Sequence, residues 1–519
     1  MTIPESLADV PRLRARMAAQ DVALSCVGRT TTYGELDARS SRVANGLLDL
    51  GCRPATRIAY LGKNSDSYFE IVFGAAKARV TTVAVNWRLA APEVEYILGD
   101  SGAKLVFVDR DLAPTIESIR DRLPELERVV VLDPDAGGGY GSWRDTQPAD
   151  DPRILVDPED VVLQMYSSGT TGRPKGVEIQ HRAFAPLRRA ERELGEWATV
   201  GAGDVSLVVM PTFHMLGTGL ALTALYGGAR CVILKVADAA ETLRLIPVEG
   251  VTHLTVAPAF LDRLLQHPAC VQTDYSSLRV ITYAGSPISP TLLAQAQSVL
   301  GCDFIQYYGA TETTGQVTCL APEDHVGARS ERLQSCGRPA PGVELRIVAA
   351  DGRERPAGEV GEIHVRTPSL MKGYWKSPDA TADAFVNGWY RTGDAAFRDA
   401  DGYVTIVDRL KDMVVTGGEN VYTAEVEAAL AIDPEVADVA VIGVPDRKWG
   451  EAVKAIVVSK PGAGRDAGAI LARLRGRLAG YKIPKSIDFV ESLPRNASGK
   501  VLKGELRAPY WKGHDRSIA

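Results

Sequence analysis

The sequence predicts an α/β protein in two parts. A large N-terminal domain holds two doubly wound sheet subdomains and a small β-barrel or distorted sheet, and a small α+β C-terminal domain follows. Three observations predict it. The 519 residues are too many for one core. Strand-like and helix-like patterns alternate through the first three hundred or so positions, which implies parallel sheets covered on both faces. The rhythm then changes twice, near Gly337 and near Asp408.

In chain order, Thr32-x-x-Glu35 forms a capping box, and Leu36, Val43, Leu47 and Leu50 follow at helical spacing. Residues 57–61, 81–85 and 104–108 read as strands, with helices over 68–78 and 91–98. Residues 133–152, rich in Gly, Asp and Pro, read as a surface loop. A second sheet-forming block is expected to start at Val161, with strands over 205–210, 229–236, 254–257, 280–284 and 304–307. Ligands gather at the carboxyl ends of strands in such sheets. Short strands over 343–348, 361–367 and 402–407 carry Gly and Pro turns, which suggests the barrel or distorted antiparallel sheet. Beyond Asp408 come a helix over 424–430, strands over 436–442 and 453–458, a helix over 468–478 and a strand over 486–490. The expected division is 1–408 and 412–519, with a link at 409–411.

Hydrophobic content of 45% and charged content of 24% describe an ordinary globular chain. A net charge of −6 argues against a nucleic-acid partner, because no global positive field attracts phosphate backbones. Seven scattered cysteines without a C-x-x-C fit free thiols in a reducing compartment, and seven dispersed histidines offer no zinc spacing. No basic patch followed by an apolar core opens the chain. The longest uncharged stretch, 205–229, holds Pro211, His214 and four glycines, so no transmembrane segment is expected and the chain reads as cytoplasmic. Oligomeric state has no sequence signal.

The stretch Tyr166-Ser167-Ser168-Gly169-Thr170-Thr171-Gly172-Arg173-Pro174-Lys175-Gly176 follows an apolar strand. Glycines turn backbone N–H groups toward a ligand, hydroxyls add donors and lysine adds a charge, which together suit phosphate oxygens. It is not a Walker A loop, since Gly follows the lysine; the plain alternative is a flexible surface loop. Gln306-Tyr307-Tyr308-Gly309-Ala310-Thr311-Glu312-Thr313-Thr314-Gly315 follows another buried strand. There an aromatic can stack on a base, Thr311 can donate to phosphate and Glu312 can hold Mg²⁺; the alternative is a turn with a surface acid. Trp389-Tyr390-Arg391-Thr392-Gly393-Asp394 places a carboxylate after a Gly turn, suited to two ribose hydroxyls or to an Asx turn. Asp408-Arg409-Leu410-Lys411-Asp412 leads into Thr416-Gly417-Gly418-Glu419-Asn420. Pro494-Arg495-Asn496-Ala497-Ser498-Gly499-Lys500 closes the set.

In order and spacing these five segments resemble the adenylate-forming superfamily of acyl-CoA synthetases, luciferases and peptide-synthetase adenylation domains. The resemblance implies that the small C-terminal domain is mobile about a hinge at Lys411. It also implies a two-step reaction. A carboxylate attacks the α-phosphate of Mg·ATP to give acyl-AMP and pyrophosphate, and a thiol, that of coenzyme A, then displaces AMP. By motif match, Ser167, Ser168, Gly169, Thr170, Thr171 and Lys175 would hold the β- and γ-phosphates. Ser167 and Glu312 would lie nearest Mg²⁺. Tyr308 and Gly309, with Gly285, Ser286 and Pro287, would take adenine, Thr311 the α-phosphate, and Asp394 and Arg409 ribose. Lys500 would bridge carboxylate and α-phosphate, and Gly417 and Gly418 would line a pantetheine tunnel. Ser167, Tyr307 and Thr423 depart from common family residues without removing a catalytic group.

Pro211-Thr212-Phe213-His214-Met215-Leu216-Gly217 matches the family's acyl-pocket segment, with His214 expected against the acyl group. It holds no aspartate for an amino-acid ammonium, and no Trp blocks the Tyr307–Gly309 segment. Gly217, Gly219, Gly285, Gly309, Ala310 and Gly315 leave room. A medium- or long-chain fatty acid is expected, with an aryl or steroid side-chain acid as the alternative, and a carrier protein as the alternative to CoA. Lys482, Lys485, Arg473 and Arg477 offer charge for the CoA 3′-phosphate or form a solvated face, with the two arginines expected on one helix face.

Overall fold

The apolar runs of the first part fold into two mixed sheets with parallel centres. The computed structural model describes residues 3–132, 139–167, 174–286, 288–326, 332–416, 419–446, 448–475, 477–496 and 499–512. The first sheet runs, in spatial order, Gly373–Tyr374, Lys175–Gln180, Val161–Ser167, Thr81–Val85, Arg57–Leu61, Leu105–Asp109 and Arg128–Leu132. Its five strands from Val161–Ser167 onward are parallel. Arg57–Leu61 and Thr81–Val85 are buried at every position, as strands covered on both faces must be.

The second sheet runs Arg338–Pro339, Gly315–Leu320, Asp303–Ala310, Val280–Ala284, His253–Val256, Val205–Val208, Arg230–Ile233, Val22–Cys26 and Arg29–Thr32. It is parallel from Asp303–Ala310 to Val22–Cys26 and antiparallel at both ends. Helix Tyr33–Asp49 starts at the expected capping box. Thr32 Oγ1 accepts from Glu35 N at 3.2 Å, and Glu35 Oε2 accepts from Thr32 N at 2.8 Å. The uncharged stretch resolves into strand Val205–Val208 and the largely buried helix Met215–Gly227. Among the described residues no helix is long and apolar enough to cross a membrane. All seven cysteines are free, and six are buried.

The chain divides into two compact units, residues 1–344 with 365–390, and residues 345–364 with 391–519. The second unit therefore takes in most of a five-stranded sheet, including Trp389–Arg398 from Arg391 onward and, antiparallel to it, Val404–Arg409. Its other sheet runs Glu419–Val421, Val414–Thr416, Gly450–Ser459 and Val436–Asp446, with Ser486–Phe489 parallel to Gly450–Ser459.

Three expectations are corrected. Val161 does not open the second sheet: Val161–Ser167 lies in the first, beside Thr81–Val85, while Val22–Cys26 joins the second, beside Arg230–Ile233. Apolar periodicity marks a strand but not its partner, which for a parallel strand is reached only through a crossover. The segment around Gly393 is not only a turn but part of the ten-residue strand Trp389–Arg398. The helix expected over 468–478 spans Ala467–Leu474, so Arg477 lies beyond it and shares no helix face with Arg473. Arg473 pairs with Asp433 at 2.6 Å, and Lys482 pairs with Glu425 at 2.8 Å.

Candidate active site

Strands Val161–Ser167 and Lys175–Gln180 form an antiparallel hairpin that sets Ser167 opposite Lys175. Ser168, Gly169, Thr170 and Thr171, at the centre of the phosphate-loop motif, lie outside the described residues, as do Pro287, Gly417 and Gly418. Ser167 Oγ donates to Glu312 Oε1 at 3.0 Å.

Glu312 is presented by a tight reversal. Strand Asp303–Ala310 passes into the short 3₁₀ turn Thr311–Thr313, then Thr314 at φ 56° and Gly315 at φ 119° lead into Gly315–Leu320. Buried Thr313 locks the turn: its Oγ1 accepts from Ala310 N at 2.9 Å and lies 2.7 Å from Gly315 O, to which it donates. Thr314 Oγ1 donates to Ser369 O at 2.6 Å, and Met371 N donates to Glu312 O at 2.8 Å. The segment after Ser369 also supplies Gly373–Tyr374, which pairs with Lys175–Gln180. It thus stitches the hairpin of one sheet to the Glu312 turn of the other. Tyr374 OH donates to Glu312 Oε1 at 3.1 Å, and Lys175 Nζ lies 5.0 Å from the Tyr374 ring centroid. Burial raises the Tyr374 pKa and the adjacent Glu312 charge raises it further, so the phenol stays a donor. Tyr374 is not among the residues the sequence motifs single out. An aromatic after Gly373 reads as ordinary turn chemistry, and only the fold brings it to Glu312.

Gly309 and Gly217 prove small for a reason other than pocket room. A Cβ on Gly309 would lie 1.6 Å from Gly315 O, and one on Gly217 would lie 2.2 Å from Pro211 O. Gly309→Ala is therefore expected to destabilise the protein by about 3 kcal/mol or more, since paired backbone cannot yield as a side chain can. Urea denaturation checks this; an unchanged midpoint would refute the close approach. Gly285 at φ 90° and Gly315 face more open space, with Leu216 Cδ2 and Met215 Cγ each 3.9 Å from the added carbon.

That contact places the His214 segment beside the same turn. His214 is the N-cap residue of helix Met215–Gly227, half-buried with its ring centroid 4.6 Å from that of Phe213. Asn64 holds the approach, its Nδ2 donating to Met210 O at 3.1 Å and its Oδ1 accepting from Thr212 N at 2.9 Å. Gly285 and Ser286 follow the end of Val280–Ala284, while Tyr308 and Thr311 are half-buried at the end of the neighbouring strand. The first unit thus gathers Ser167, Lys175, Tyr308, Gly309, Thr311 and Glu312, with Gly285, Ser286 and His214 at the carboxyl ends of the parallel strands, where α/β sheets bind ligands.

In the second unit, Asp394 and Arg409 face each other across paired strands, with Arg409 Nε 2.9 Å from the buried Asp394 Oδ1. Burial, then the Arg409 charge, lowers the pKa of the Lys411 ammonium, and Lys411 O accepts from Arg507 Nη1 at 2.9 Å. Lys500 is exposed, opposite Asn496 in the short bridge Arg495–Val501. Its N–H donates to Asn496 Oδ1 at 2.9 Å, its carbonyl accepts from Asn496 N at 2.8 Å, and Gly499 takes φ 85°.

Among the described residues no group of three or more His, Cys, Asp or Glu side chains is gathered. One buried carboxylate with a hydroxyl beside it is nonetheless a fitting donor set for magnesium, which takes most of its oxygens from phosphates and water. A buried carboxylate, a hydroxyl and a lysine gathered in this way can meet phosphate oxygens and a hard cation.

The chain belongs to the AMP-binding enzyme family: the family model matches residues 12–375, and that of the AMP-binding enzyme C-terminal domain matches residues 425–500. It is accordingly an ATP-dependent, AMP-forming ligase of the adenylate-forming superfamily. It is 41% identical over 516 residues to the fatty acid–[acyl-carrier-protein] ligase ScoC of Streptomyces coeruleorubidus, covering 99% of this chain and 98% of that one. It is 40% identical over 507 residues to a feruloyl-CoA synthase of an Amycolatopsis species, covering 98% and 99%. Its fold is similar to that of a Mycobacterium tuberculosis fatty acyl CoA synthetase, with a TM-score of 0.79, 33% identity and coverage of 98% and 99%. It is also similar to the anthranilate CoA ligase AuaEII in complex with anthranoyl-AMP, with a TM-score of 0.87, 31% identity and coverage of 98% of both chains.

Proposed function

We propose that the protein is an acyl-CoA synthetase that activates a medium- or long-chain fatty acid with ATP and passes the acyl group to coenzyme A. The observation that carries this is the Ser167–Glu312–Tyr374 cluster beside Lys175, at the carboxyl ends of parallel strands and next to the His214 segment. In the first step a carboxylate oxygen attacks the α-phosphorus, the bond to the β-phosphate oxygen breaks, and pyrophosphate leaves with the electron pair. In the second, the thiol sulfur attacks the acyl carbon, AMP departs and the thiol proton is lost.

Such chemistry asks a protein for position and charge neutralisation. Lys175 and the hydroxyls of Ser167, Ser168, Thr170 and Thr171 orient the leaving pyrophosphate. Tyr308 and the Gly285–Ser286 turn flank the base, Thr311 donates to the α-phosphate, and Asp394 with Arg409 takes the ribose hydroxyls. Glu312 and Ser167 would hold Mg²⁺, which when bound neutralises phosphate charge. Lys500 meets the charge that develops as carboxylate and α-phosphate join. The link at 409–411 is the hinge that exchanges Lys500 for Gly417 and Gly418. Free cysteines suit action in the cytoplasm.

Pyrophosphate release across a panel of acids, with and without coenzyme A, tests this reading. Release with medium- and long-chain fatty acids, little release with acetate, and a thioester product once CoA is added are expected. Release confined to aromatic acids would move the substrate to the aryl class. Thioester formation only on a phosphopantetheinylated carrier protein would move the acceptor, an outcome to which the similarity to the carrier-protein ligase lends weight.

A further inference from the structure

The far end of the helix that His214 begins holds a polar cluster the two-step chemistry does not use. Met215, Gly219, Thr223 and Tyr226 fall at spacings of three and four, and so share one face of helix Met215–Gly227. Met215 lies at the Gly315 end, and Thr223 and Tyr226 lie about 12 and 16 Å further along the axis. Between them Gly219 has no side chain and stays partly accessible on a face otherwise buried.

Helix Phe184–Leu194 brings a buried ion pair to this end. Arg188 Nη2 lies 2.8 Å from Glu191 Oε1, and the two side chains are only 12% and 7% exposed. Thr223 Oγ1 lies 3.5 Å from the same Glu191 oxygen. The Arg188 guanidinium carbon sits 5.9 Å from the centroid of the Tyr226 ring. Arg188 Nε, Arg188 Nη1 and the Tyr226 hydroxyl are buried with no hydrogen-bond partner among the described residues. Tyr307, two residues before Gly309, feels the charges of both Glu191 and Arg188, and packs with Leu194 and Trp197 against Val280, Ile305 and Cys319.

Buried polar atoms are nearly always satisfied, and an unsatisfied donor forfeits its hydration until something pairs with it. Here three such atoms are concentrated at the end of one helix face. We propose that Arg188 and Tyr226 form a polar floor to the acid pocket and hydrogen-bond a neutral oxygen, such as a hydroxyl or a carbonyl, at the distal end of the substrate acid. This rests on the adenylation reading above and narrows its substrate class from plain to oxygenated acids of medium or greater length. A neutral oxygen fits because Glu191 already offsets the Arg188 charge; a second carboxylate would sit uncompensated beside Glu191.

The test uses the full-length protein and pyrophosphate release. A plain alkanoic acid is compared with its terminal hydroxy and keto derivatives and with the dicarboxylic acid of the same length. At one length or more, kcat/KM for the hydroxy or keto acid is expected to exceed that for the plain acid by about tenfold or more, because a site built to bond an oxygen discriminates against its absence. Arg188→Met should lower that ratio about tenfold, mainly through KM. Tyr226→Phe, which removes only a hydroxyl and so keeps the fold, should lower it several-fold. Arg189→Ala, on the exposed side of the same helix where Arg189 pairs with Glu5, should leave the ratio unchanged. A plain acid used as well as its oxygenated partners, a preference for the dicarboxylic acid, or variants that slow all acids equally would each overturn the proposal. No release with any acid would overturn the adenylation reading, and this inference with it.

Discussion

Lys500→Ala is expected to lower pyrophosphate release from acid and ATP by about a hundredfold to a thousandfold or more, while thioester formation from supplied acyl-AMP largely survives. The magnitude is that of removing a preorganised charge from a developing anionic transition state. The local structure makes the variant clean. The turn that presents Lys500 is held by Asn496, which bonds the backbone N–H and carbonyl of Lys500, and neither bond depends on the side chain being lysine. The side chain is exposed, so its loss opens no cavity. A structural role would instead slow both half-reactions together. Normal adenylation in the variant would sink the assignment, and equal loss of both steps would make Lys500 a folding residue. The two half-reactions must be measured separately, since the coupled rate reports only the slower one.

Much of the fold was legible because its signals are local. The Thr32–Glu35 box starts a helix through two reciprocal bonds within four residues. The strand over Val280–Ala284 falls where its apolar run predicts. Strand order was not legible. Nothing near Val161 records that it lies beside Thr81–Val85, and nothing near Val22 records that it lies beside Arg230–Ile233. Among the candidate site residues, Ser167, Lys175 and Glu312 carry distinctive chemistry in residue type, so motif spacing singles them out. Tyr374 and Arg188 do not. Each becomes notable only through an atom brought from elsewhere in the chain: the Glu312 carboxylate for one, the Tyr226 ring for the other. The glycines show the converse error. Gly309 and Gly217 look like open space in sequence, yet in the fold each is where two backbones touch.

Glu312→Gln carries the second large expected effect. Glutamine keeps the shape and one carbonyl oxygen, so Ser167 Oγ and Tyr374 OH retain an acceptor and the turn locked by Thr313 persists. What goes is the charge that makes the carboxylate a ligand for a hard cation. Adenylation is expected to fall by about a hundredfold, and the magnesium concentration for half-maximal pyrophosphate release to rise by about tenfold or more. An unchanged magnesium requirement would dissociate Glu312 from the cation. Tyr374→Phe decides what the phenol adds. Its hydroxyl bonds Glu312 Oε1, the same oxygen that accepts from Ser167 Oγ, and so helps to fix the carboxylate. If Tyr374 acts through Glu312, Tyr374→Phe alone costs less, about tenfold, and the double variant is no slower than Glu312→Gln. Additive losses would mean that Tyr374 meets the substrate itself. In that case the lacing of Gly373–Tyr374 onto Lys175–Gln180 serves to aim a donor toward the substrate as well as to brace Glu312.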